Sequence, residues 1–342
     1  MNICFVSNAS MKGYRSSGLI YALEEKGVEI SKIKFPNSGF FPLDPNLIKE
    51  LRKKRKSVWI ITYPNARYIF LLKILGCKRL ILDAGWPVSD FSFERLNWVF
   101  LANFKKCVWL LFDFATFLTA DVIFLESKSQ IEYCFKTFKV AKNKMVALPS
   151  SLNELEYCYS ASSKLFDEFT VLFRGRYNPE SGVELFLALA EHLQGKPIRF
   201  LLLCPNLPLT LVVNSNVIVD RKYYSQSELA AFNTKSHIVL GQLAKHPRLE
   251  RTIPHRAIEA ACSGALFVTA RNSAICEQFT ENQDSLMFDP GSKTELVDLV
   301  IRVFQRYDDY QPIKNRIKVT YENKLSPRAV SKIFLDTIRR WE

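Results

Sequence analysis

A glycine and an arginine follow a strongly apolar run in the second half of the chain. Residues 169–173 have the pattern of a buried strand, Gly175 and Arg176 end it, and a helical pattern opens near Ser181 and Gly182. A turn of this kind leaves backbone amides free at the start of a helix, where a phosphate binds well, and an arginine adds further donors. The segment is therefore a candidate diphosphate site, with a tight turn and a surface arginine as the alternative.

A second candidate site lies further along, where Glu259 occupies a predicted helix that ends at Ser263 and Gly264. A carboxylate near the start of such a helix can accept hydrogen bonds from the vicinal hydroxyls of a ribose, while the preceding amides face anionic oxygens. The alternative is a surface glutamate that satisfies the helix start. Both signals occur in this order within one predicted domain, and together they favour a nucleotide site.

Both candidate sites require strands that end at one edge of a sheet. Short, β-branched apolar runs alternate with stretches of helical period, which predicts βαβ units around parallel sheets, an α/β fold. The predicted strands are residues 2–6, 28–32, 57–62, 79–83, 121–125 and 144–148 in the first half, and 169–173, 199–204, 217–219, 237–240 and 266–269 in the second.

The 342 residues exceed what a single core normally supports, so two domains are expected. A polar, weakly periodic stretch follows Pro149 and has the composition of a linker. We predict an N-terminal domain over residues 1–150, a C-terminal domain over residues 165–324 and a final helical segment over residues 325–342.

These motifs resemble those of the retaining glycosyltransferases of the GT-B fold, in the large group with a family-four-type donor domain. Gly175 and Arg176 are similar to the family's Gly-Arg turn, Glu259 and Gly264 to its Glu-Ala-x-x-x-Gly helix, and residues 285–304 to its Pro-Gly-Asp segment. The resemblance implies two Rossmann-like domains facing each other across a cleft, with the last helix crossing back to the first domain. It also implies sugar transfer, with retention, from a nucleoside diphosphate sugar to a hydroxyl acceptor such as a glycan or lipid-linked glycan.

The resemblance assigns donor binding to a set of residues in the second half: Gly175, Arg176, Ser181, His255, Arg256, Glu259 and Glu277. Arg176 would also stabilise the departing diphosphate as a catalytic residue. Two positions depart from the family pattern. Ser181 stands where a lysine is usual, for which Arg256 or Lys245 is a candidate substitute. Arg251 stands eight residues before Glu259, where a second glutamate is usual, so the neighbouring Glu250 is a candidate catalytic carboxylate.

The first half offers its own candidates, although it contains no histidine. Asp83 is expected at the carboxyl end of a parallel strand, the usual position for ligands, as an acceptor contact or a base. A simple turn before Gly85 is the alternative. Lys12, Gly13 and Arg15 lie in a loop that lacks a full GxGxxG or P-loop pattern. The resemblance places this loop over the donor phosphates and the acceptor, which makes these residues candidate contacts, with solvated surface charges as the alternative.

Charge is unevenly distributed, since residues 1–150 hold 23 Lys and Arg against 12 Asp and Glu, whereas the remainder is nearly balanced. A basic cluster at residues 49–56 and an aromatic segment at residues 91–118 together suggest an anionic membrane surface. The alternatives are a solvated helix end, nuclear import or nucleic-acid contact for the cluster, and core packing for the segment.

The helix predicted for the segment at residues 91–118 places Arg95, Lys106 and Asp113 on one face. It places these apolar side chains on the other: Phe93, Phe100, Phe104, Leu111 and Leu118. The other aromatics near the two segments are Phe35, Phe40, Phe41, Trp98, Trp109 and Phe112.

The eight cysteines show no CxxC pair and mostly lie in apolar stretches, which indicates buried thiols in a reducing compartment. The chain opens on a predicted strand rather than a signal peptide, and its longest uncharged run is too short for a span. We expect a cytoplasmic protein, peripheral on the inner face of the membrane at most. No metal or cofactor is expected beyond the donor substrate, because no ligand cluster has coordinating spacing.

Three alternatives to a glycosyltransferase remain open at this point. A nucleotide-sugar epimerase on the same fold would need acid and base groups around the sugar. A catalytically silent sugar-nucleotide-binding scaffold is compatible with the departures at Ser181 and Arg251. A nucleic-acid-binding protein is favoured by charge alone, and nucleic acid is the least expected partner.

Overall fold

The computed structural model describes residues 2–7, 14–35, 44–63, 65–90, 99–158, 164–178 and 180–341. The chain forms two compact units, one of residues 1–151 and 330–342 and the other of residues 152–329. Each unit is built around a six-stranded parallel sheet, as expected for βαβ units.

The first unit has the strand order β2-β1-β3-β4-β5-β6. Its strands are β1 (Ile3–Ser7), β2 (Ile30–Lys34), β3 (Val58–Thr62), β4 (Leu80–Gly85), β5 (Val122–Leu125) and β6 (Met145–Ala147). Its helices are α1 (Tyr14–Glu24), α2 (Pro45–Lys53), α3 (Tyr68–Ile74), α4 (Val99–Thr119) and α5 (Lys128–Phe138).

The second unit has the strand order β12-β11-β10-β7-β8-β9. Its strands are β7 (Phe169–Arg174), β8 (Ile198–Leu203), β9 (Val217–Asp220), β10 (Ile238–Leu240), β11 (Phe267–Ala270) and β12 (Leu286–Phe288). The helices that follow β7 in sequence are α6 (Val183–His192), α7 (Gln226–Lys235), α8 (His255–Ser263), α9 (Ser273–Gln278), α10 (Lys293–Gln305), α11 (Gln311–Thr320) and α12 (Pro327–Ile338).

The helices of the first unit are divided between the two faces of its sheet. Leu51 of α2, Leu72 of α3 and Phe117 of α4 share one core cluster, to which α5 also contributes. Leu23 of α1 and Phe334 of α12 belong to the cluster on the opposite face. Right-handed crossovers explain this division, because the chain moves from β1 to β2 in one direction and from β2 through β6 in the other. Helices α2 to α5 therefore form one outer layer.

In the second sheet, β7 is the topological switch point. The chain leaves β7 for β8 on one side, and β10 pairs with β7 on the other side after the chain has returned from β9. Open parallel sheets bind ligands in the crevice at the carboxyl ends of strands at such a point. The turn that contains Gly175 follows directly after β7, so this topology places it where a ligand is expected.

The α/β architecture predicted from the sequence is confirmed, and each predicted strand overlaps an observed one. Strand β12 was not predicted. It contains only Leu286–Phe288 and is buried throughout, so it is too short to show the alternation that identifies a strand. Its pairing with β11 identifies it instead.

Two predictions about apolar and polar faces in the first unit are wrong. Phe35 is buried against Tyr68, with ring centroids 4.2 Å apart, rather than available at a surface. Core packing of the apolar face of α4, the alternative given for residues 91–118, is also wrong, because the structure exposes Leu111 and Leu118 and buries Asp113 on the opposite face. The predicted aromatic contacts Phe40, Phe41, Phe93 and Trp98 lie outside the described residues. Among the helices that the structure describes, none is long and apolar enough to cross a membrane.

Candidate functional site

The end of β7 and the start of α8 meet at the switch point of the second sheet. Arg256, near the start of α8, donates a hydrogen bond from Nη1 to the backbone oxygen of Arg174 at 2.7 Å. A Cβ atom at Gly175 would lie 3.6 Å from the same Nη1, so the glycine and the guanidinium are neighbours. The structure thus brings together Gly175 and Arg256, two residues that the sequence predicted for donor binding.

Glu259 lies at the centre of this arrangement, and its side chain is only 1% exposed. Arg174 forms an ion pair with Oε2, and His255 Nδ1 lies 3.4 Å from Oε1. Burial by itself would raise the pKa of Glu259, but the charge of Arg174 and the hydrogen bond from His255 outweigh burial and lower this pKa to about 2. The carboxylate is therefore held as an anion.

Sequence reasoning missed Arg174. The sequence did contain a signal for this residue, because Arg174 is a charged residue in an apolar strand, one position before Gly175. That it pairs with Glu259 depends on how β7 and α8 pack, and no sequence spacing shows this.

Arg256 contributes a second cation at the same place. Its guanidinium lies 4.7 Å from the centroid of the Phe173 ring, a cation–π contact. Burial and the nearby charge of Arg174 lower the pKa of Arg256 to about 9, which leaves it charged at neutral pH. Two arginines thus surround one buried carboxylate, and the excess of positive charge suits a diphosphate.

Ser181 closes the turn that precedes α6. Its Oγ donates to the backbone oxygen of Asn178 at 2.7 Å and accepts from the backbone amide of Val183 at 3.3 Å. Gly182 follows with φ of 76°, and a Cβ atom there would lie 2.6 Å from Leu243 Cβ. The backbone at Gly182 therefore packs closely against the segment at Leu243. The hydroxyl of Ser181 is hydrogen-bonded to its own loop.

The cation found beside this loop is Arg248, which sequence reasoning did not single out. Its Nε donates to Oε1 of Glu180 at 3.1 Å, and its Nη2 pairs with Oε2. His246 Nδ1 lies 3.8 Å from the same carboxylate. Lys245, a predicted substitute for the missing lysine, is exposed. The structure therefore offers Arg248 beside Ser181, and Arg256 at the end of β7.

The other predicted donor-site residues lie further toward the surface. Glu250 accepts hydrogen bonds from the backbone amide of Ser273 at 3.0 Å and from its hydroxyl at 2.6 Å, and lines a pocket of about 410 Å³ together with Arg251. Arg176 is exposed, and Glu277 lies partly exposed on α9. Among the described contacts, none joins Glu250 to Glu259, so the two predicted carboxylates are held by different elements.

In the first unit, Asp83 and Arg15 form an ion pair. Arg15 Nε donates to Asp83 Oδ1 at 2.8 Å, and its Nη1 donates to Ser150 Oγ at 3.3 Å. Asp83 is buried at the carboxyl end of β4, and its Oδ2 has no hydrogen-bond partner among the described residues. The structure thus joins two predicted site residues, whereas Lys12 and Gly13 lie outside the described part of the chain.

The cysteines are only in part the buried thiols that the sequence predicted. All eight are free, but Cys107, Cys158 and Cys276 are exposed. Burial raises the pKa of Cys262 to about 12 and that of Cys77 to about 11, which makes these two poor nucleophiles. Within the described ranges, no group of three or more His, Cys, Asp and Glu side chains could hold a metal ion.

Comparison with known proteins finds a match to one family model. A sequence model of the family described as Glycosyl transferase-like matches residues 181–329. A comparison with curated proteins finds no match in sequence.

Solved structures share the fold over almost the whole chain. HepE of Anabaena in complex with UDP-glucose is 11% identical, with 99% of this chain and 100% of that chain covered and a TM-score of 0.73. Sucrose-phosphate synthase of Thermosynechococcus elongatus is 13% identical, with 100% and 99% covered and a TM-score of 0.73. A glycosyltransferase of Rickettsia africae is 12% identical, with 100% and 98% covered and a TM-score of 0.68. The chain therefore shares the GT-B fold of these glycosyltransferases, and its residues 181–329 match the family described as Glycosyl transferase-like.

Proposed function

We propose that the second unit binds a nucleoside diphosphate sugar at the carboxyl end of β7. In this proposal Glu259 accepts hydrogen bonds from the ribose hydroxyls. Arg256 and the backbone beside Gly175 face the diphosphate, and the exposed side chain of Arg176 reaches it from the turn. The transferred sugar would lie toward the loops after β10 and β11.

The observation that carries this proposal is the burial of Glu259 beside two arginines. Burying a carboxylate costs several kcal/mol, and ion pairing repays this only with good geometry and additional hydrogen bonds. A packed apolar residue would stabilise the unit at least as well. The presence of a buried anion at the switch point is therefore better explained by ligand binding than by a contribution to folding stability.

Neighbouring structures supply the first nucleotide to test. HepE was solved with UDP and with UDP-glucose, and at 11% identity this likeness concerns the fold. We propose UDP as the first candidate nucleotide. The identity of the transferred sugar is left to experiment.

The proposed reaction moves the sugar to a hydroxyl group with retention of configuration. The bond between the anomeric carbon and the diphosphate oxygen breaks and a bond from the acceptor oxygen forms. The acceptor proton passes to a base or to the departing diphosphate, which leaves as the nucleoside diphosphate. Charge grows on the departing diphosphate, so preorganised cations are the main catalytic requirement. Protein cations would meet it, without a metal ion or other cofactor.

We propose a glycan or lipid-linked glycan as the acceptor, contacted by the first unit. Asp83, held by Arg15, is the candidate contact, with Oδ2 turned to the acceptor hydroxyl as a hydrogen-bond partner or base. The basic cluster at residues 49–56 and the segment at residues 91–118 would place this unit at an anionic membrane, which keeps the protein peripheral on a cytoplasmic face.

The test is nucleotide binding by wild type and by Glu259→Gln. UDP, GDP, ADP, CMP and TDP are compared by thermal stabilisation and then by calorimetry. Losing a charged acceptor should cost about 1.5–3 kcal/mol, or a rise in Kd of about 10- to 150-fold. Glu191→Gln, on the exposed side of α6, is the matched control and should bind normally. If Glu259→Gln binds every nucleotide as well as wild type, the assignment of the ribose contact is wrong.

Turnover separates the remaining enzyme and scaffold alternatives. A glycosyltransferase should consume the donor in the presence of an acceptor extract and release the nucleoside diphosphate. An epimerase would release free epimerised sugar, and a silent scaffold would bind the donor without consuming it. Either outcome would replace the proposed reaction while leaving the binding site in place.

A further inference from the structure

Helix α4 is amphipathic with its apolar side turned to solvent. The exposed fractions of its outer side chains are 61% for Phe104, 48% for Val108, 69% for Leu111, 41% for Phe114 and 50% for Leu118. Their spacing of three, four and seven residues places them along one side of the helix. We call this set the α4 stripe. Contiguous apolar patches of this kind mark interaction sites in soluble proteins.

The inner side of α4 explains why the stripe faces outward. Asp113 is fully buried and accepts hydrogen bonds from Tyr63 Oη at 2.7 Å, from the backbone amide of Val88 at 3.2 Å and from that of Ser89 at 2.7 Å. Phe117 packs on the same inner side. Rotating the helix to bury the stripe would withdraw Asp113 from three donors, and buried donors left unpaired are destabilising. The orientation is therefore specified by the fold.

Exposed basic side chains occur on α4 and on other helices of the same outer layer. Lys105 and Lys106 are exposed on α4 itself. Helices α2 to α5 share one face of the sheet, so exposed cations on α2 and α5 belong to the same outer layer. They are Arg52, Lys53, Arg55, Lys56, Lys136 and Lys139, counting the turns that follow each helix. Of the cluster at residues 49–56, Lys54 is paired with Glu50.

We infer that this outer layer docks on a bilayer that contains anionic lipid, with the α4 stripe inserted at the boundary between headgroups and acyl chains. An exposed apolar stripe in a layer that also exposes cations fits an interfacial helix, whose apolar side enters about 5–10 Å into that boundary. A second copy of the chain is a poorer occupant, because docking two such faces would bring like charges together. The inference rests on the proposed function for its membrane-associated acceptor, and it names the side chains that would make the contact.

The first experiment measures flotation with vesicles of phosphatidylcholine, with and without phosphatidylglycerol. Wild type should bind the anionic vesicles and not the neutral ones. The variant Phe104→Ser with Leu111→Ser should lose at least about tenfold in partitioning, because both side chains contribute apolar burial. The matched control changes Leu209 and Val212 to Ser, which are 86% and 90% exposed in the second unit, and should bind like wild type.

Charge is tested separately with Arg52→Gln, Lys53→Gln, Lys105→Gln and Lys106→Gln combined. Each basic residue near an anionic surface adds to binding, so the combined variant should lose at least about tenfold at low salt. Added salt should weaken wild type more than this variant, because exposed charges are screened. Equal binding of wild type to neutral and anionic vesicles would overturn the inference.

Cys107 provides a direct probe, because it is exposed next to Val108 in the stripe. With Cys158→Ser and Cys276→Ser, an environment-sensitive dye on Cys107 should shift its emission to the blue on anionic vesicles. A dye on Cys158, with the other two exposed cysteines changed to Ser, should not shift. No shift at Cys107 would overturn the inference. So would a dimer at low protein concentration that Phe104→Ser with Leu111→Ser abolishes, since the stripe would then be a self-interface.

The same variants are assayed for UDP binding without lipid, which separates this inference from the proposed function. Stripe variants should bind UDP like wild type, since the stripe lies in the first unit and the proposed donor residues lie in the second. Normal UDP binding without vesicle binding would defeat the membrane inference alone. Vesicle binding without any nucleotide binding would defeat the proposed donor site alone.

Discussion

Glu259 of α8 and Asp113 of α4 are both acidic side chains fully buried on a helix, but their partners differ. Arg174 and His255 contact Glu259, and the positive charge of Arg174 is the main reason that the pKa of this carboxyl falls despite burial. The described hydrogen bonds to the Asp113 carboxylate come from neutral donors, a tyrosine hydroxyl and two backbone amides. Burial raises the pKa of Asp113, and the hydrogen bonds only partly oppose this.

The difference shows that burial alone does not determine what an acid does. Cations beside Glu259 hold a permanent anion at the switch point of a sheet, where a ligand is expected. The neutral donors around Asp113 fix the orientation of α4 about its own axis. The first arrangement serves the proposed donor site, and the second sets the outward direction of the α4 stripe.

The largest expected effect comes from removing the cation at Glu259. Arg174→Met leaves a buried carboxylate without its main partner, so the free energy of unfolding should fall by about 3–5 kcal/mol, measured by urea denaturation. Arg176→Met is the matched control. It changes an exposed arginine two residues away and should alter stability by less than about 0.5 kcal/mol.

A double variant sharpens this prediction. Arg174→Met combined with Glu259→Met replaces the ion pair by apolar groups, which is often neutral or stabilising. The double variant should therefore unfold at a higher urea concentration than Arg174→Met alone, while nucleotide binding stays impaired. A double variant less stable than Arg174→Met would show that the pair contributes to stability in its own right.

A smaller effect is expected at Asp113. Asp113→Ala leaves the amides of Val88 and Ser89 and the hydroxyl of Tyr63 without their acceptor, and the free energy of unfolding should fall by about 1–3 kcal/mol. Asp113→Asn keeps one acceptor oxygen and should lose less. A loss at Asp113→Ala as large as that at Arg174→Met would remove the distinction between neutral and charged partners.

The smallest effect concerns the change in the free energy of unfolding with pH, which is at most about 1.4 kcal/mol per pH unit for one titrating group. The pKa of Glu259 falls from 4.5 to about 2 on folding. Its contribution is therefore present above pH 4.5 and lost as pH falls toward 2. Relative to Glu259→Gln, wild type should lose stability across that window.

Asp113 should give the opposite slope, because its folded pKa is raised above 3.8. Its contribution is present below pH 3.8 and is lost as pH rises through the folded pKa. The advantage of wild type over Asp113→Asn should therefore shrink as pH rises above 3.8. Parallel profiles for the two comparisons would contradict the opposite pKa directions on which this contrast depends.

Much of the fold follows from local patterns. Each predicted strand overlaps an observed one, because buried parallel strands appear as apolar runs between helical stretches. The helix with Glu259 ends at Gly264, which has φ of 64°, as the Ser-Gly stop indicated. The resemblance to the GT-B family rests on motifs of this local kind, and so does the expectation of a nucleotide site after β7.

Other features depend on contacts between residues distant in sequence. Arg174 is separated from Glu259 by 85 residues and Tyr63 from Asp113 by 50, so neither pairing shows in local spacing. Helical periodicity placed Phe104, Leu111 and Leu118 on one side of α4 but did not show which side faces solvent, because an apolar stripe normally packs inward. The sequence by itself determined which residues share a helix face or end a strand. Tertiary packing decided which charges meet, since a buried carboxylate is stable only where distant elements supply its partners.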